Sequence, residues 1–184
     1  MEKITAWLNS SATLVFPHIG LEEIDVDPRL DALFVALSRA ESERVAAPIE
    51  SMIWSIWSQS GDNQVDNLME RGTSALRKEN LLDALNFFDS VVEALPDFAE
   101  GWNKRATVNY LLGDFDSSIS DVERTLTLEP RHFGALSGLG MIALSLGQEE
   151  QALEAFEAAL DIHPYLSGAD THIRKLREKV RGGA

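Results

Sequence analysis

The chain has 184 residues, no cysteine and a formal net charge of −14 at neutral pH. This acidic balance argues against nucleic-acid binding, because phosphate contacts need a basic surface. The absence of thiols excludes disulfides, thiolate metal sites and cysteine nucleophiles. Apolar residues make up 45% of the chain and charged residues 25%, which is typical of a globular domain.

Residues 1–27 are interpreted as an irregular or partly helical N-terminal arm. The uncharged stretch from Ile4 to Leu21 contains proline, histidine and other polar residues, whereas a membrane-spanning helix needs about 20 predominantly apolar residues. Met1 to Lys3 carries no net positive charge, so a signal peptide is not favoured. The sequence therefore predicts a cytoplasmic protein without a membrane-spanning segment; a periplasmic or organellar location is the alternative if a targeting segment has been removed.

Residues 28–64 predict a pair of amphipathic helices. Their apolar residues recur at the spacing of one helical face: Leu30, Leu33, Phe34 and Leu37, then Ile49, Met52, Ile53, Ile56 and Trp57. The pair is interpreted as a degenerate repeat or as an N-terminal cap that covers the apolar face of the first repeat unit, since terminal units of repeat stacks are atypical.

A period of 34 residues governs the middle of the chain. Pro96, Pro130 and Pro164 are separated by 34 residues each, and a fixed period of this size indicates a repeat architecture. Large and small residues recur in phase with the prolines: Leu68, Trp102 and Leu136; Gly72, Ala106 and Gly140; Phe88, Val122 and Phe156. Because the apolar spacing is helical and proline ends each second helix, we predict three helix–turn–helix units over 65–98, 99–132 and 133–166.

Residues 167–184 predict a capping helix and a short tail. One apolar stripe is formed by Ala169, Ile173, Leu176 and Val180. Five basic residues and two acidic ones follow Leu166, in contrast to the acidic remainder of the chain. Cations near a helix C-terminus are favourable for the helix dipole, which gives a solvated cap as the first interpretation; a contact for an acidic partner or an anionic lipid is the alternative.

These patterns resemble the tetratricopeptide repeat (TPR) family, whose units carry small residues, an aromatic residue and a closing proline at these positions. The third unit shows the resemblance through Leu136, Leu139, Gly140, Ala152, Phe156 and Pro164. The second unit departs from it, because Arg105 and Asn109 stand where apolar or aromatic residues are usual. Segments 98–107 and 130–140 resemble a bacterial and organellar subgroup. The resemblance implies an all-α fold, an α-α superhelix of helical hairpins.

The resemblance also implies that the first helix of each unit lines a concave groove. The candidate partner-binding residues are then Met69, Glu70, Thr73, Arg77, Asn103, Lys104, Thr107, Tyr110, Leu111, Ser137 and Met141. Some members of the family grip the C-terminal carboxylate of chaperone tails with Lys, Asn and Arg side chains. The matching positions here hold Met69, Thr73, Lys104, Gly134 and Gly138, so capture of such tails is disfavoured.

No pattern of catalytic, metal-binding or cofactor-binding residues is found. The four histidines lack the spacing that places two metal ligands on one helical face, and phosphate-binding and nucleophile motifs are missing. We therefore expect a non-enzymatic protein without metal or cofactor, which binds a peptide or partner protein in the groove as an adaptor or assembly factor. The alternative is a self-associating structural subunit that pairs through Trp7, Trp54 or the C-terminal helix.

Overall fold

The computed structural model describes the backbone of residues 28–182 and the side chains of residues 28–178. The predicted arm over residues 1–27 lies outside the described residues. Across the described range every regular element is an α-helix, which confirms the all-α class: α1 (Pro28–Ser38), α2 (Glu43–Trp57), α3 (Asn63–Arg77), α4 (Leu81–Ala94), α5 (Ala99–Leu112), α6 (Phe115–Leu128), α7 (Phe133–Ser145), α8 (Glu149–Ile162) and α9 (Ala169–Gly182). None of the helices in this part of the chain has the length and apolar character needed to cross a membrane.

Local interactions determine where these helices begin and end. The carboxylate of Asp62 accepts a hydrogen bond from the backbone N–H of Gln64 at 2.7 Å and caps α3. Before α7 the imidazole of His132 has this role, since its Nδ1 accepts the N–H of Ala135 at 3.1 Å. Helix α5 ends at Leu112, and the next residue, Gly113, has a φ of 80°, which glycine adopts at little cost.

The three repeat units are the hairpins α3–α4, α5–α6 and α7–α8, and each packs on the next along the chain. In the first and third hairpins a glycine faces a phenylalanine. A Cβ atom added to Gly140 would lie 2.8 Å from the Phe156 ring, and one added to Gly72 would lie 2.7 Å from Phe88. In the middle hairpin the buried Ala106 stands in place of the glycine, and the buried Val122 stands in place of the phenylalanine. The recurrent small residues therefore match the volume of the residue opposite them.

This size matching gives a stability prediction. Gly140→Ala should destabilise the protein, although alanine is the better helix former by about 1 kcal/mol, because the Cβ would overlap the fully buried Phe156 ring. Adding Phe156→Val recreates the residue pair of the middle unit and should restore part of the loss. Urea unfolding of both variants measures this, and a double variant that is no more stable than Gly140→Ala would contradict it.

The N-terminal helical pair does not cover the first unit as expected. Its buried residues, among them Phe34, Ile53 and Trp57, form one cluster with Phe133 of α7, and Ile162 at the end of α8 packs against it. The buried cluster of the first unit contains no residue of α1 or α2. The N-terminal pair therefore packs on the third unit, where its aromatic side chains contact Phe133 at the start of α7.

Helix α9 packs against α8 of the third unit. Ala169, Ile173 and Leu176 are buried in the cluster that contains the apolar residues of α7 and α8, and the His172 ring stacks on Phe156 with 4.9 Å between the ring centroids. The described basic side chains of α9 are exposed, and Arg177 forms a 2.6 Å ion pair with Glu157. This helix thus closes the third unit with its apolar stripe.

Candidate functional site

The predicted groove residues differ in exposure along α5. At the N-terminal end of this helix Glu100 is 1% exposed and Asn103 is 8% exposed, whereas Leu111 at the other end is 51% exposed. Lys104 is partly exposed, and Thr107 is exposed. On α5 the exposed candidates, Thr107 and Leu111, therefore lie in its C-terminal half.

The candidate groove residues on α3 and α7 also include both buried and accessible side chains. Met69 is 6% exposed within the buried cluster of the first unit, so little of its surface is available to a ligand; the same holds for the buried Asn103. The remaining candidates have accessible side-chain surface: Glu70, Thr73, Arg77, Tyr110, Ser137 and Met141. The Tyr110 hydroxyl lies 3.2 Å from the Ser145 hydroxyl and links α5 to α7.

Trp54 of α2 covers the N-terminal ends of α5 and α7. Its ring lies so close to Gly134 that a Cβ atom there would be 2.6 Å from Trp54 Cη2. The same ring meets Phe133 edge-on at a centroid distance of 5.4 Å, and Lys104 Nζ lies 5.8 Å from its centroid. No such neighbour occupies the space above Gly138, one turn further along α7, where a Cβ would meet nothing within 4 Å.

Glu100 forms a buried polar network beneath Trp54. Its Oε2 accepts a hydrogen bond from Asn103 Nδ2 at 2.8 Å and lies 3.0 Å from His132 Nε2. Its Oε1 lies 3.0 Å from Lys104 Nζ. Burial by itself raises the pKa of Glu100, but the His132 hydrogen bond and the nearby Lys104 ammonium outweigh it and hold that pKa below its ordinary value. This carboxylate therefore stays ionised inside the protein.

This network changes the role expected for Lys104. The sequence predicts an exposed cation that a ligand can approach, but the structure pairs Lys104 with the fully buried Glu100 and places it beside Trp54. Sequence reasoning missed Glu100, because an acidic residue in the first turn of a helix normally interacts with the dipole and solvent. A substitution of Lys104 therefore disturbs a buried carboxylate and is a poor test of groove binding.

Polar contacts at the margin of the aromatic cluster also hold the N-terminal pair. Trp54 Nε1 donates to Glu50 Oε1 at 3.2 Å, and Glu50 Oε2 lies 3.2 Å from Nε2 of the buried His163. Arg131 forms a 2.6 Å ion pair with Asp31 across 100 positions of the sequence. For the self-association hypothesis, Trp54 is a less favourable contact with a second copy because it packs against other residues of its own chain. Trp7 lies outside the described residues. Self-association stays a prediction that light scattering tests.

The departure of the second unit from the family pattern has a structural cause. Arg105 donates two hydrogen bonds to the buried Asp121, at 2.9 Å from Nε and 2.7 Å from Nη2. Its Nη1 donates to Asp89 of the first unit at 2.9 Å, and Asn109 Nδ2 donates to Asp121 at 3.0 Å. The two polar residues therefore form one network that joins the first unit to the second.

Comparisons with known proteins agree with this architecture. The tetratricopeptide repeat family model matches residues 69–127 and 112–167. A TPR repeat-containing protein of Rhizobium etli is 39% identical over 154 residues, which cover 84% of this chain and 76% of the relative. The small glutamine-rich tetratricopeptide repeat-containing protein 2 of Saccharomyces cerevisiae is 28% identical over 99 residues, 54% of this chain and 29% of the relative.

Solved structures also share the fold, and two of them illustrate it. The Arabidopsis OM64 TPR domain superposes with a TM-score of 0.61 at 21% identity, covering 62% of this chain and 95% of that domain. The first TPR of Spaghetti (RPAP3), bound to the HSP90 peptide SRMEEVD, superposes with a TM-score of 0.62 at 22% identity, covering 65% of this chain and 96% of that one. A helical hairpin that repeats every 34 residues and matches the family model over more than half of the chain makes this protein a member of the tetratricopeptide repeat family.

Proposed function

We propose that the protein binds an extended segment of a partner protein along the first helices of its repeat units and serves as a non-catalytic adaptor or assembly factor. The observation that carries the proposal is the exposed face in the C-terminal half of α5. Leu111 is a large apolar residue that is 51% exposed, and Thr107 and Tyr110 lie beside it on the same helix. Hydroxyl groups next to apolar side chains suit a peptide, whose backbone needs hydrogen-bond partners and whose side chains need apolar contacts.

The neighbouring helices support the same surface. On α7 the partly exposed Met141 offers an adaptable apolar contact, and the space above Gly138 is open. On α3 the exposed Glu70 and Arg77 bring charges of both signs. The ligand favoured by this surface is a partly apolar segment with a few charged residues at one end.

We further propose that the C-terminal carboxylate of a chaperone tail is not this ligand, although the Spaghetti TPR domain is solved with an HSP90 peptide. Of the five positions that would grip such a carboxylate, Lys104 alone carries a cation, and its ammonium already faces Glu100 at 3.0 Å. Trp54 covers a second of these positions, Gly134. Capture of a carboxylate by several donors at once is therefore blocked by charge and by shape.

Peptide selection followed by titration tests the groove. Short random-sequence peptides displayed on phage are selected against the protein, and the best one is synthesised and titrated by calorimetry. Leu111→Asp should weaken its binding about tenfold or more, since the change removes an apolar contact and forces a charge against the ligand. Loss of binding without a change in Tm locates the ligand on α5.

Leu82→Asp is the matched control, because Leu82 is 66% exposed and lies on α4, outside the candidate groove. It should bind the peptide as the unsubstituted protein does. Equal weakening by both substitutions, or by neither, would contradict a groove on α5.

A further inference from the structure

Helix α2 packs near the N-terminal halves of α5 and α7, two of the helices that line the proposed groove. Trp54 fills the space above Gly134 on α7 and borders Lys104 on α5, so it touches two of the three first helices. In the first half of α5, Glu100 is 1% exposed and Asn103 is 8% exposed. Further along the same helix, Thr107 is exposed and Leu111 is 51% exposed.

From this arrangement we infer that α2 is a built-in occupant of the groove and that Trp54 determines which part of the groove a ligand reaches. The inference rests on the proposed function and specifies the ligand further. A partner segment contacts the C-terminal halves of α5 and α7, around Thr107, Leu111 and Met141. It does not reach Gly134 or Lys104.

The contacts of α2 are those of a fixed element rather than of a loose lid. Trp57 stacks on His132 with 4.1 Å between the ring centroids, and its ring lies 5.1 Å from that of Phe133. Glu50 reaches the buried His163, and Arg131 lies over the Phe34 ring at 4.3 Å. Releasing α2 would expose this aromatic cluster to water, so the occupied groove is the state that a ligand meets.

A double-mutant cycle in the absence of ligand tests whether Trp54 covers Gly134 in solution. Gly134→Ala should lower the Tm of the otherwise unchanged protein, because the new Cβ would lie 2.6 Å from Trp54 Cη2. In a Trp54→Ala background the same substitution should raise the Tm, since alanine favours a helix more than glycine does. The same shift in both backgrounds would overturn the inference.

Gly138→Ala is the control for the cycle, because a Cβ at this position meets nothing within 4 Å. It should raise the Tm in both backgrounds. If Gly138→Ala lowered the Tm of the otherwise unchanged protein, any side chain added to this face of α7 would be destabilising. The effect of Gly134→Ala could then not be assigned to Trp54, and this result would overturn the inference.

Photo-crosslinking then tests the reach of the ligand. The synthetic peptide from the library selection carries a benzophenone group at one end or the other, and crosslinked residues are identified by mass spectrometry. The unchanged protein should be labelled near Thr107, Leu111 and Met141, and Trp54→Ala should be labelled near Gly134 as well. Crosslinks at Gly134 in the unchanged protein would overturn the inference while supporting the proposed function. Failure of both proteins to bind any peptide would contradict the proposed function, whatever the cycle shows about Trp54.

Discussion

Replacing Arg105 with methionine is expected to lower the free energy of unfolding by about 3 kcal/mol, because it leaves the buried carboxylate of Asp121 without its cation. Asp121 is 4% exposed in its side chain and receives two hydrogen bonds from Arg105. The lost contact with Asp89 should matter less, since that side chain is 44% exposed and water can replace the guanidinium. Urea unfolding followed by circular dichroism measures the change.

The pH dependence identifies the cause. Burial raises the pKa of Asp121, and the hydrogen bonds from Arg105 and Asn109 offset only part of that rise. Without Arg105 the pKa of Asp121 in the folded protein should rise further. The ordinary pKa of an aspartate carboxyl group is 3.8. When folding raises that pKa, the group destabilises the protein increasingly as the pH rises above 3.8. The stability deficit of Arg105→Met should therefore grow from acidic to neutral pH.

The double variant Arg105→Met, Asp121→Asn is the control for this prediction. Asparagine removes the buried charge and keeps an oxygen that accepts the hydrogen bond from Asn109. It should recover much of the lost stability at neutral pH and flatten the added pH dependence. A double variant as unstable as Arg105→Met would show that lost packing of the guanidinium, rather than an unpaired charge, causes the effect.

Trp57→Ala is expected to cost about 3–5 kcal/mol, the usual loss for removal of a large buried aromatic side chain. Trp57 is 7% exposed, and its ring contacts those of Phe34, Trp54, His132 and Phe133. The loss should be concentrated in the N-terminal pair, because this ring joins the pair to the start of the third unit. Hydrogen exchange should show the amides of α1 and α2 losing protection before those of α8 and α9.

Trp102→Ala serves as the comparison. Trp102 is only partly buried; its Nε1 donates to the Pro96 carbonyl at 2.8 Å, and Arg105 lies over its ring at 4.7 Å. A smaller loss of stability is expected, with no selective effect on α1 and α2. If both tryptophan substitutions expose the same amides, Trp57 does not hold the N-terminal pair in place.

The two tryptophans differ in a way that shows what the repeat pattern can and cannot predict. Trp102 is in phase with Leu136, which is 2% exposed, and the pattern therefore predicts a core position for both. In the structure Trp102 lies partly outside the core and covers Arg105. The repeat pattern predicts the burial of each position from the residues at equivalent positions in the other units. It cannot show that Arg105 is paired with an aspartate 16 residues further on, because that pairing depends on two particular side chains.

The sequence by itself determined the helices, the 34-residue hairpins and the family, because these follow from spacings of a few residues along one chain and from their repetition. Only the tertiary structure decided where the N-terminal pair packs and which groove residues remain open. Trp54 and Gly134 are 80 positions apart, and Asp31 and Arg131 are 100 apart. Contacts at such distances depend on the shapes of two assembled surfaces, which the periodicity of either segment does not encode.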